Sequence, residues 1–421
     1  MSNEQRPCHF SSRNVKIVAV TPSAAQHGAA MRFSSLVSEN ESTASAVDEL
    51  LTAARDSGVQ ADAAFLFFTA HHRDEAEAFV EKLWLELDPQ VMVGCSAEGI
   101  IGGDVEVERA PGMSLLVGEM PRVRLHPFHL GADDWRPIIV DPETLPQRLG
   151  HGSETRGLIG FGDPFTTPLT DFLGLLDSHL PGVPLVGGMA SSARQPGENL
   201  LVRNDQVLTD GFVGLSLAGP VEIETIVSQG CRPIGKTLVI TKSRENVIEQ
   251  LGGRPALQAL SETVDALSVA DKALLSNGLL IGRAISEYRE SFGRGDFLVR
   301  NLMGVDQGSG AIAVTDYVRV GQTVQFHVRD AATASEDLSL LLAPQQSEPA
   351  RQPAGALLFS CNGRGSRMFD SACHDVTASR AAMPQTPVAG FFAAGELGPV
   401  GGKNFIHGHT ASLALIRPAS Q

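Results

Sequence analysis

The chain has 421 residues, too many for one ordinary core and enough for two or three domains. Apolar residues make up 43% and charged residues 19%, the balance of a folded globular protein and not of a disordered one. The formal net charge of -15, without a Lys/Arg cluster, argues against a nucleic-acid partner, which needs basic groups to replace counterions. The first ten residues are polar, and no stretch reaches the roughly 18 apolar residues that a membrane span needs. A cytoplasmic protein is therefore expected, with no membrane partner. Its five scattered cysteines (Cys8, Cys95, Cys231, Cys361 and Cys373) are expected to be free thiols.

In chain order, the informative feature is a pattern that occurs three times: an apolar strand, a helix, and a second apolar strand ending in small residues. The first copy opens at Ala63-Ala64-Phe65-Leu66-Phe67-Phe68, continues through a helix at Asp74–Leu87, and closes on Val91-Met92-Val93-Gly94-Cys95-Ser96-Ala97-Glu98-Gly99. The second opens at Gly157–Gly162, has its helix at Leu169–His179, and closes on Val183–Ser191. Val213–Leu217 and Val221–Val227 then read as strands around an Ala218-Gly219-Pro220 turn. Leu238–Thr241 is a short strand, and Asn246–Leu251, Ala256–Leu260 and Val264–Leu267 read as helical. Leu279–Ile285, Phe297–Met303, Ala311–Val314 and Thr323–Val328 have the spacing of antiparallel strands. Glu336–Leu342 is expected as a helix, and Ala343–Pro353 as an exposed loop. The third copy opens at Ala356–Cys361 and closes on Thr386–Glu396.

Each copy has the length of a βαβ unit, about 30 residues. Continuous apolar runs mark strands buried on both faces, and right-handed crossovers lay them parallel. The fold class expected is α/β: repeated β-α-β modules forming mixed sheets flanked by helices, with an antiparallel insertion in the C-terminal half. The boundary is placed near Ala218, giving a lead segment 1–35, an N-terminal domain 36–218 and a C-terminal domain 219–418.

Several of these segments carry a family resemblance. Leu357-Leu358-Phe359-Ser360-Cys361-Asn362-Gly363-Arg364-Gly365 with Met368-Phe369, and Pro387–Phe392 through Gly395-Glu396, resemble the C-terminal motif of the FIST family. Gln325–Ala331 is similar to another piece of that half. Val93–Gly99 resembles the N-terminal signature, and Ser228–Gly235 the junction. The resemblance implies a stand-alone sensory, signal-transduction module that binds a small polar metabolite such as an amino acid and acts through a separate signalling protein. The family also implies two alternatives: a haem-binding nitric-oxide sensor, and a protein-interaction scaffold related to F-box FIST proteins.

The residues themselves point to the strand tips, where ligands bind in open α/β sheets. Cys361, Asn362, Gly363, Arg364 and Gly365 form a glycine-flanked turn whose N–H groups can line a concavity, with Arg364 to grip a carboxylate. Glu396 follows the neighbouring strand and is expected on the same rim, either facing a ligand or paired with Arg364. Gly94, Cys95, Ser96 and Glu98 supply turn backbone. No catalytic residue is expected. Cys361 reads as a buried inert thiol, and Gly94-Cys95-Ser96 falls short of a nucleophile elbow. Gly230–Thr237 matches a P-loop letter for letter, but strand-like Leu238-Val239-Ile240-Thr241 follows where a helix is needed. His71, His407 and His409 are the weak candidates for a metal or a haem iron.

Overall fold

The computed structural model describes residues 16–19, 30–288, 292, 293, 295–348 and 352–419. The rest of the lead segment lies outside the described residues. Two compact units form. The first takes the chain up to Val227, Ser339–Ile406 and the residues from Ala411 on. The second is Ser228–Leu338 with His407–Thr410.

The first unit is built from one plan used three times. Module one comprises β1 (Lys16–Ala19), β2 (Arg32–Ser38), α1 (Thr43–Ser57), β3 (Ala63–Thr69), α2 (Ala76–Leu87), β4 (Val91–Ala97), β5 (Gly99–Gly102), β6 (Val105–Glu108) and β7 (Met113–Glu119). Module two comprises β8 (Arg124–Leu130), α3 (Trp135–Val140), α4 (Leu145–Arg148), β9 (Thr155–Gly162), α5 (Leu169–His179), β10 (Leu185–Met189), β11 (Leu201–Arg203), β12 (Gln206–Leu208) and β13 (Phe212–Ala218). Module three begins with β14 (Val221–Gln229). The second unit interrupts it with β15 (Cys231–Arg244), β16 (Val247–Leu251), β17 (Arg254–Pro255), α6 (Ala256–Asp265), α7 (Val269–Leu274), β18 (Leu279–Ala284), β19 (Phe297–Asp306), β20 (Ala311–Val314) and β21 (Thr323–Arg329). Module three resumes through α8 (Ala331–Ser347), β22 (Gly355–Cys361), α9 (His374–Ala382), β23 (Val388–Ala393), β24 (Glu396–Val400), β25 (Lys403–His407) and β26 (Thr410–Pro418).

In each module the two strands of the repeat pair in parallel: β3 with β4, β9 with β10, and β22 with β23. The hairpin that follows is given to another module. The sheets run β1-β2-β7-β3-β4-β11-β12, β8-β13-β9-β10-β24-β25 and β14-β26-β22-β23-β5-β6. Thus β5–β6 joins the third sheet, β11–β12 the first and β24–β25 the second, a cyclic exchange that closes the three modules on one another.

One position recurs in every module. Gly94, Gly187 and Gly390 stand in register with Leu66, Gly160 and Leu358. A Cβ at any of the three would lie 1.8 Å from the carbonyl oxygen of that partner, so no side chain fits. One residue further along the first strands, Phe67, Phe161 and Phe359 turn to a common centre. There they meet each other and Phe391, with ring centroids 5.0 to 6.4 Å apart. The opposite faces carry the helices. Leu50, Val80 and Leu83 pack on the first sheet, and Ile138, Phe172 and Leu176 on the second. This two-sided burial is the source of the unbroken apolar runs in the sequence.

The second unit pairs its strands antiparallel throughout the described ladders. Residues 231–244, over the P-loop match, are strand, so no helix N-terminus meets a phosphate there. Two local expectations are corrected. Asn246–Leu251 is not helical: β16 pairs with both β15 and β20, and Gly252 and Gly253 turn it into β17. Ala343–Pro353 is not a loop at its start: α8 continues through Pro344 to Ser347, where Gln345 is buried and bonded to Glu224 and Arg417. The thiols also divide. Cys95 and Cys231 are buried and Cys361 is half-buried, while Cys8 lies outside the described residues. Among the described residues no helix is long and apolar enough to cross a membrane.

The repeated glycine predicts a sharp contrast. Gly390→Ala should lower unfolding free energy by roughly 3 kcal/mol or more, the scale of forced overpacking. Gly174→Ala, in α5 with nothing within 4 Å of its Cβ, should raise it by about 0.5–1 kcal/mol. Urea denaturation of the two variants checks both signs.

Candidate functional site

The candidate site is built where β22 ends. The ladder continues one residue, with Asn362 N–H donating to Ala393 O at 3.0 Å. Arg364 N–H then returns to Cys361 O at 2.7 Å and closes a tight turn. Gly365 takes φ +56, and Gly365–Arg367 make a single 3-10 turn. The positive φ of Gly365 favours glycine here, and a Cβ would also stand 2.5 Å from the Glu108 carboxylate and displace it. Glu108 accepts from the backbone N–H and the hydroxyl of Ser366, each at 2.8 Å, and so clasps the loop from β6.

Arg364 turns inward and is completely buried. Its Nε and Nη2 grip the Asp375 carboxylate at 2.7 and 2.8 Å, and its guanidinium lies 5.2 Å from the Phe369 ring centre. Asp375, in the first turn of α9, also accepts from the Ser360 hydroxyl at 2.6 Å and contacts His374 Nδ1 at 2.8 Å. His374 stacks on Phe369. Burial alone would push Asp375 up, but the Arg364 guanidinium and these hydrogen bonds hold it well below the usual carboxylate range. Beside this pair lies Glu106, whose Oε1 accepts from Val376 N–H at 2.8 Å and whose Oε2 has no hydrogen-bond partner. Burial, and then the Asp375 charge, push Glu106 up to about 8. Its carboxyl is therefore protonated at neutral pH, and the cluster holds one cation against one anion.

The rim above is formed by other groups. Arg367 pairs with Glu98, which follows β4, and its Nη1 also donates to Asn362 O at 2.6 Å. Their side chains are 35% and 31% exposed. A narrow crevice of about 10 Å³, room for about one water, is lined by Glu98, Gly99, Glu108, Arg109, Asn362, Arg367 and Phe392.

The structure thus redistributes the expected site residues. Asn362 and Glu98 line the cleft, and Cys361 and Gly363, half-buried, belong to the same turn. Arg364 is corrected from ligand grip to buried brace, because Asp375 already takes its Nε and Nη2 and water does not reach it. Glu396 is corrected as well. It is fully buried in β24, opposite Gly188 in the second sheet, and Arg364 takes Asp375 as its partner instead. Gly94, Cys95 and Ser96 are interior. Gly94 serves the strand contact, and Ser96 bonds Ser192 and Leu200 N–H. Burial pushes the Cys95 thiol well above its usual range, which removes it as a nucleophile. His71 is exposed and bonded to Thr69, and His409 contacts Asn301 within the second unit, which also holds the buried His407. No histidine lines the cleft, and no group of three His, Cys, Asp or Glu among the described residues is set to hold a metal.

Sequence reasoning missed Arg367, Glu106, Glu108 and Asp375. Val105-Glu106-Val107-Glu108 alternates as a half-exposed strand would, and nothing local shows that α9 covers its polar face.

Comparison with known proteins decides the family. A FIST N domain model matches residues 62–254 and a FIST C domain model residues 256–399. The chain belongs to the FIST family. An uncharacterized protein of Mycobacterium tuberculosis is 39% identical over 353 residues, covering 84% of this FIST chain and 90% of the relative. One from Mycobacterium bovis is 38% identical over 363 residues, with the same coverage. Among solved structures, a cyanuric acid hydrolase from A. caulinodans aligns over 93% of this chain and 100% of that one, at 8% identity and a TM-score of 0.37. A second structure of a cyanuric acid hydrolase aligns at 9% identity and 0.33. At those values the likeness bears on neither mechanism nor substrate. In this FIST protein, the C-terminal motif at Leu357–Gly365 is the strand and turn that carry the buried brace, and Val93–Gly99 is the strand that brings Glu98 to the rim.

The raised Glu106 gives a pH dependence with a definite sign. The native state keeps the proton up to about pH 8, while an unfolded glutamate loses it near pH 4.3. Between those values the native state binds more protons, so stability falls as pH rises. Glu106→Gln should gain stability relative to the parent between about pH 5 and pH 8, by at most roughly 1.4 kcal/mol per pH unit. Denaturation midpoints for both proteins across that range check the slope, and a constant difference would contradict it.

Proposed function

We propose that this FIST protein is a small-ligand-binding module of the signalling type, and that its ligand is a small zwitterion such as an amino acid taken at the cleft between Glu98 and Arg367. The observation that carries this reading is the half-exposed Glu98–Arg367 pair, which lines a narrow crevice at the tips of β4 and β22 and would have to open to admit a ligand. A zwitterion can replace each partner of that pair. Its carboxylate takes the Arg367 fork and its ammonium takes Glu98, with Glu108 behind. Opening such an exposed pair costs at most about 1 kcal/mol. Arg364 does not touch the ligand in this reading. It fixes the turn from beneath, so that Asn362 and Arg367 stand at the cleft.

Binding without turnover fits the groups present, because the cleft lining contains no histidine or cysteine to act as a base–nucleophile pair. The signal would then pass to a separate protein. Calorimetry and thermal shift of the whole chain against a panel of amino acids and related metabolites provide the test. Arg367→Ala should weaken any ligand found by about tenfold or more, the worth of one charge-assisted hydrogen bond. Glu98→Gln should weaken amine-bearing ligands selectively. A ligand whose affinity ignores both substitutions places the binding site elsewhere.

A further inference from the structure

The antiparallel second unit carries two arginines where the alternation of its strands calls for apolar side chains. Arg283 on β18 stands in register with Leu298 of β19 and Val324 of β21, and Arg300 on β19 stands in register with Ile281 of β18. Residues paired across a ladder share a face, as do residues two apart along a strand. Both arginines therefore lie on the face of Ile281 and Val324, which belong to the core of this unit. Their side chains are 25% and 12% exposed, so the two guanidiniums stand at the margin of that core with solvent on one side.

One carboxylate oxygen serves both. Arg283 Nη2 donates to Asp316 Oδ2 at 3.2 Å, and Arg300 Nε donates to the same oxygen at 3.0 Å. Arg300 Nη1 donates to Val299 O at 3.1 Å. Among the described residues, Arg283 Nε is buried with no hydrogen-bond partner. Asp316 is held from both sides along the chain. Thr315 N–H donates to Asn301 O and its Oγ1 accepts from Asn301 N–H, each at 3.1 Å, and Val318, a core residue, donates its N–H to Glu245 O at 2.9 Å. Two guanidiniums against one carboxylate leave the cluster with one positive charge in excess. Burial pushes Arg300 below its usual range despite the nearby Asp316, and Arg283 adds to the push. A poorly solvated charge of this kind costs free energy until an anion balances it.

We infer that Arg283 and Arg300 form an anion site on the second unit, which takes the carboxylate of a small organic acid that has no amino group. A carboxylate carries the one negative charge that the cluster lacks, and its two oxygens suit the donors of adjacent guanidiniums. A phosphate dianion would overshoot and leave an excess negative charge beside Asp316. An amino acid would bring its ammonium up to two guanidiniums, so it binds here more weakly than the same acid without the amine. The site therefore differs in ligand class from the crevice at Glu98 and Arg367, and it does not depend on that crevice binding anything.

The test titrates the native full chain with sodium propionate, with alanine, and with sodium chloride matched in ionic strength, and reads thermal unfolding and amide hydrogen exchange. Propionate should raise the unfolding midpoint above the chloride control and slow exchange at residues 282–284, 299–301 and 315–317. Alanine should protect those segments only at about tenfold higher concentration, if at all. Arg283→Met should weaken propionate by about tenfold or more, the worth of a hydrogen bond to a charged group. Asp316→Asn should tighten it several-fold, because a competing anion is gone, whereas a carboxylate that served only as a structural clasp would bring no gain in affinity. The inference is overturned if propionate acts as chloride does, if alanine protects these segments as well as propionate, or if Arg283→Met keeps the parent affinity. Should Arg283→Met fail to fold, exchange in the parent chain decides, and propionate without protection at the three segments overturns the inference.

Discussion

The first unit depends on a contact between backbone and backbone. In each module a glycine on the second parallel strand lies so close to the first strand that a side chain would meet a carbonyl oxygen. With nothing standing there, the next residue pair can turn its bulk to one side, and Phe67, Phe161, Phe359 and Phe391 converge as one aromatic centre. The exchange of hairpins between modules then covers the free edges of the parallel pairs, which would otherwise be open to unwanted pairing. Because β5–β6 belongs by sequence to module one and by pairing to the third sheet, it carries Glu106 and Glu108 to the loop after β22. The site is a product of that exchange.

Beneath the rim, a buried ion pair determines where the loop stands. Pairs of this kind contribute little net stability, because desolvation offsets most of the attraction, but breaking one leaves a bare charge in the interior and costs about 3–5 kcal/mol. Arg364 and Asp375 therefore act chiefly to hold geometry: they lock the turn to α9 and leave Asn362 and Arg367 no choice of side. Glu106 fits beside them only as a neutral acid, since a second carboxylate next to Asp375 would leave the cluster with an excess buried negative charge.

Much of the fold was legible in the sequence. The apolar strands at Ala63–Phe68, Gly157–Gly162 and Ala356–Cys361 announce burial on both faces, and their spacing announces parallel crossovers. The cyclic exchange was not legible, because Gly99–Gly102 and Val105–Glu108 form a short hairpin whose partner lies nearly three hundred residues away, at Val388–Ala393. The same distance explains the error over Arg364. Local reading sees an arginine flanked by glycines on a turn and directs it outward. Asp375 and Ser360, which pull it inward, show their role only once α9 is placed over β22. Arg367, three residues on between Ser366 and Met368, lacks the flanking glycines that draw attention to Arg364 and was passed over. Asn246–Leu251 failed for a related reason: its helix-compatible residues are held as a strand by neighbours on both edges.

The central functional claim is that ligand contact occurs at the strand tips of modules one and three, and hydrogen exchange tests it most directly. Amide exchange of the whole chain should be followed with and without pooled amino acids at millimolar concentration. Slower exchange confined to the segments around Ala97–Gly99, Glu108–Arg109 and Asn362–Arg367 is the result this account predicts. Unchanged exchange at those segments, or protection confined to the second unit, would contradict it.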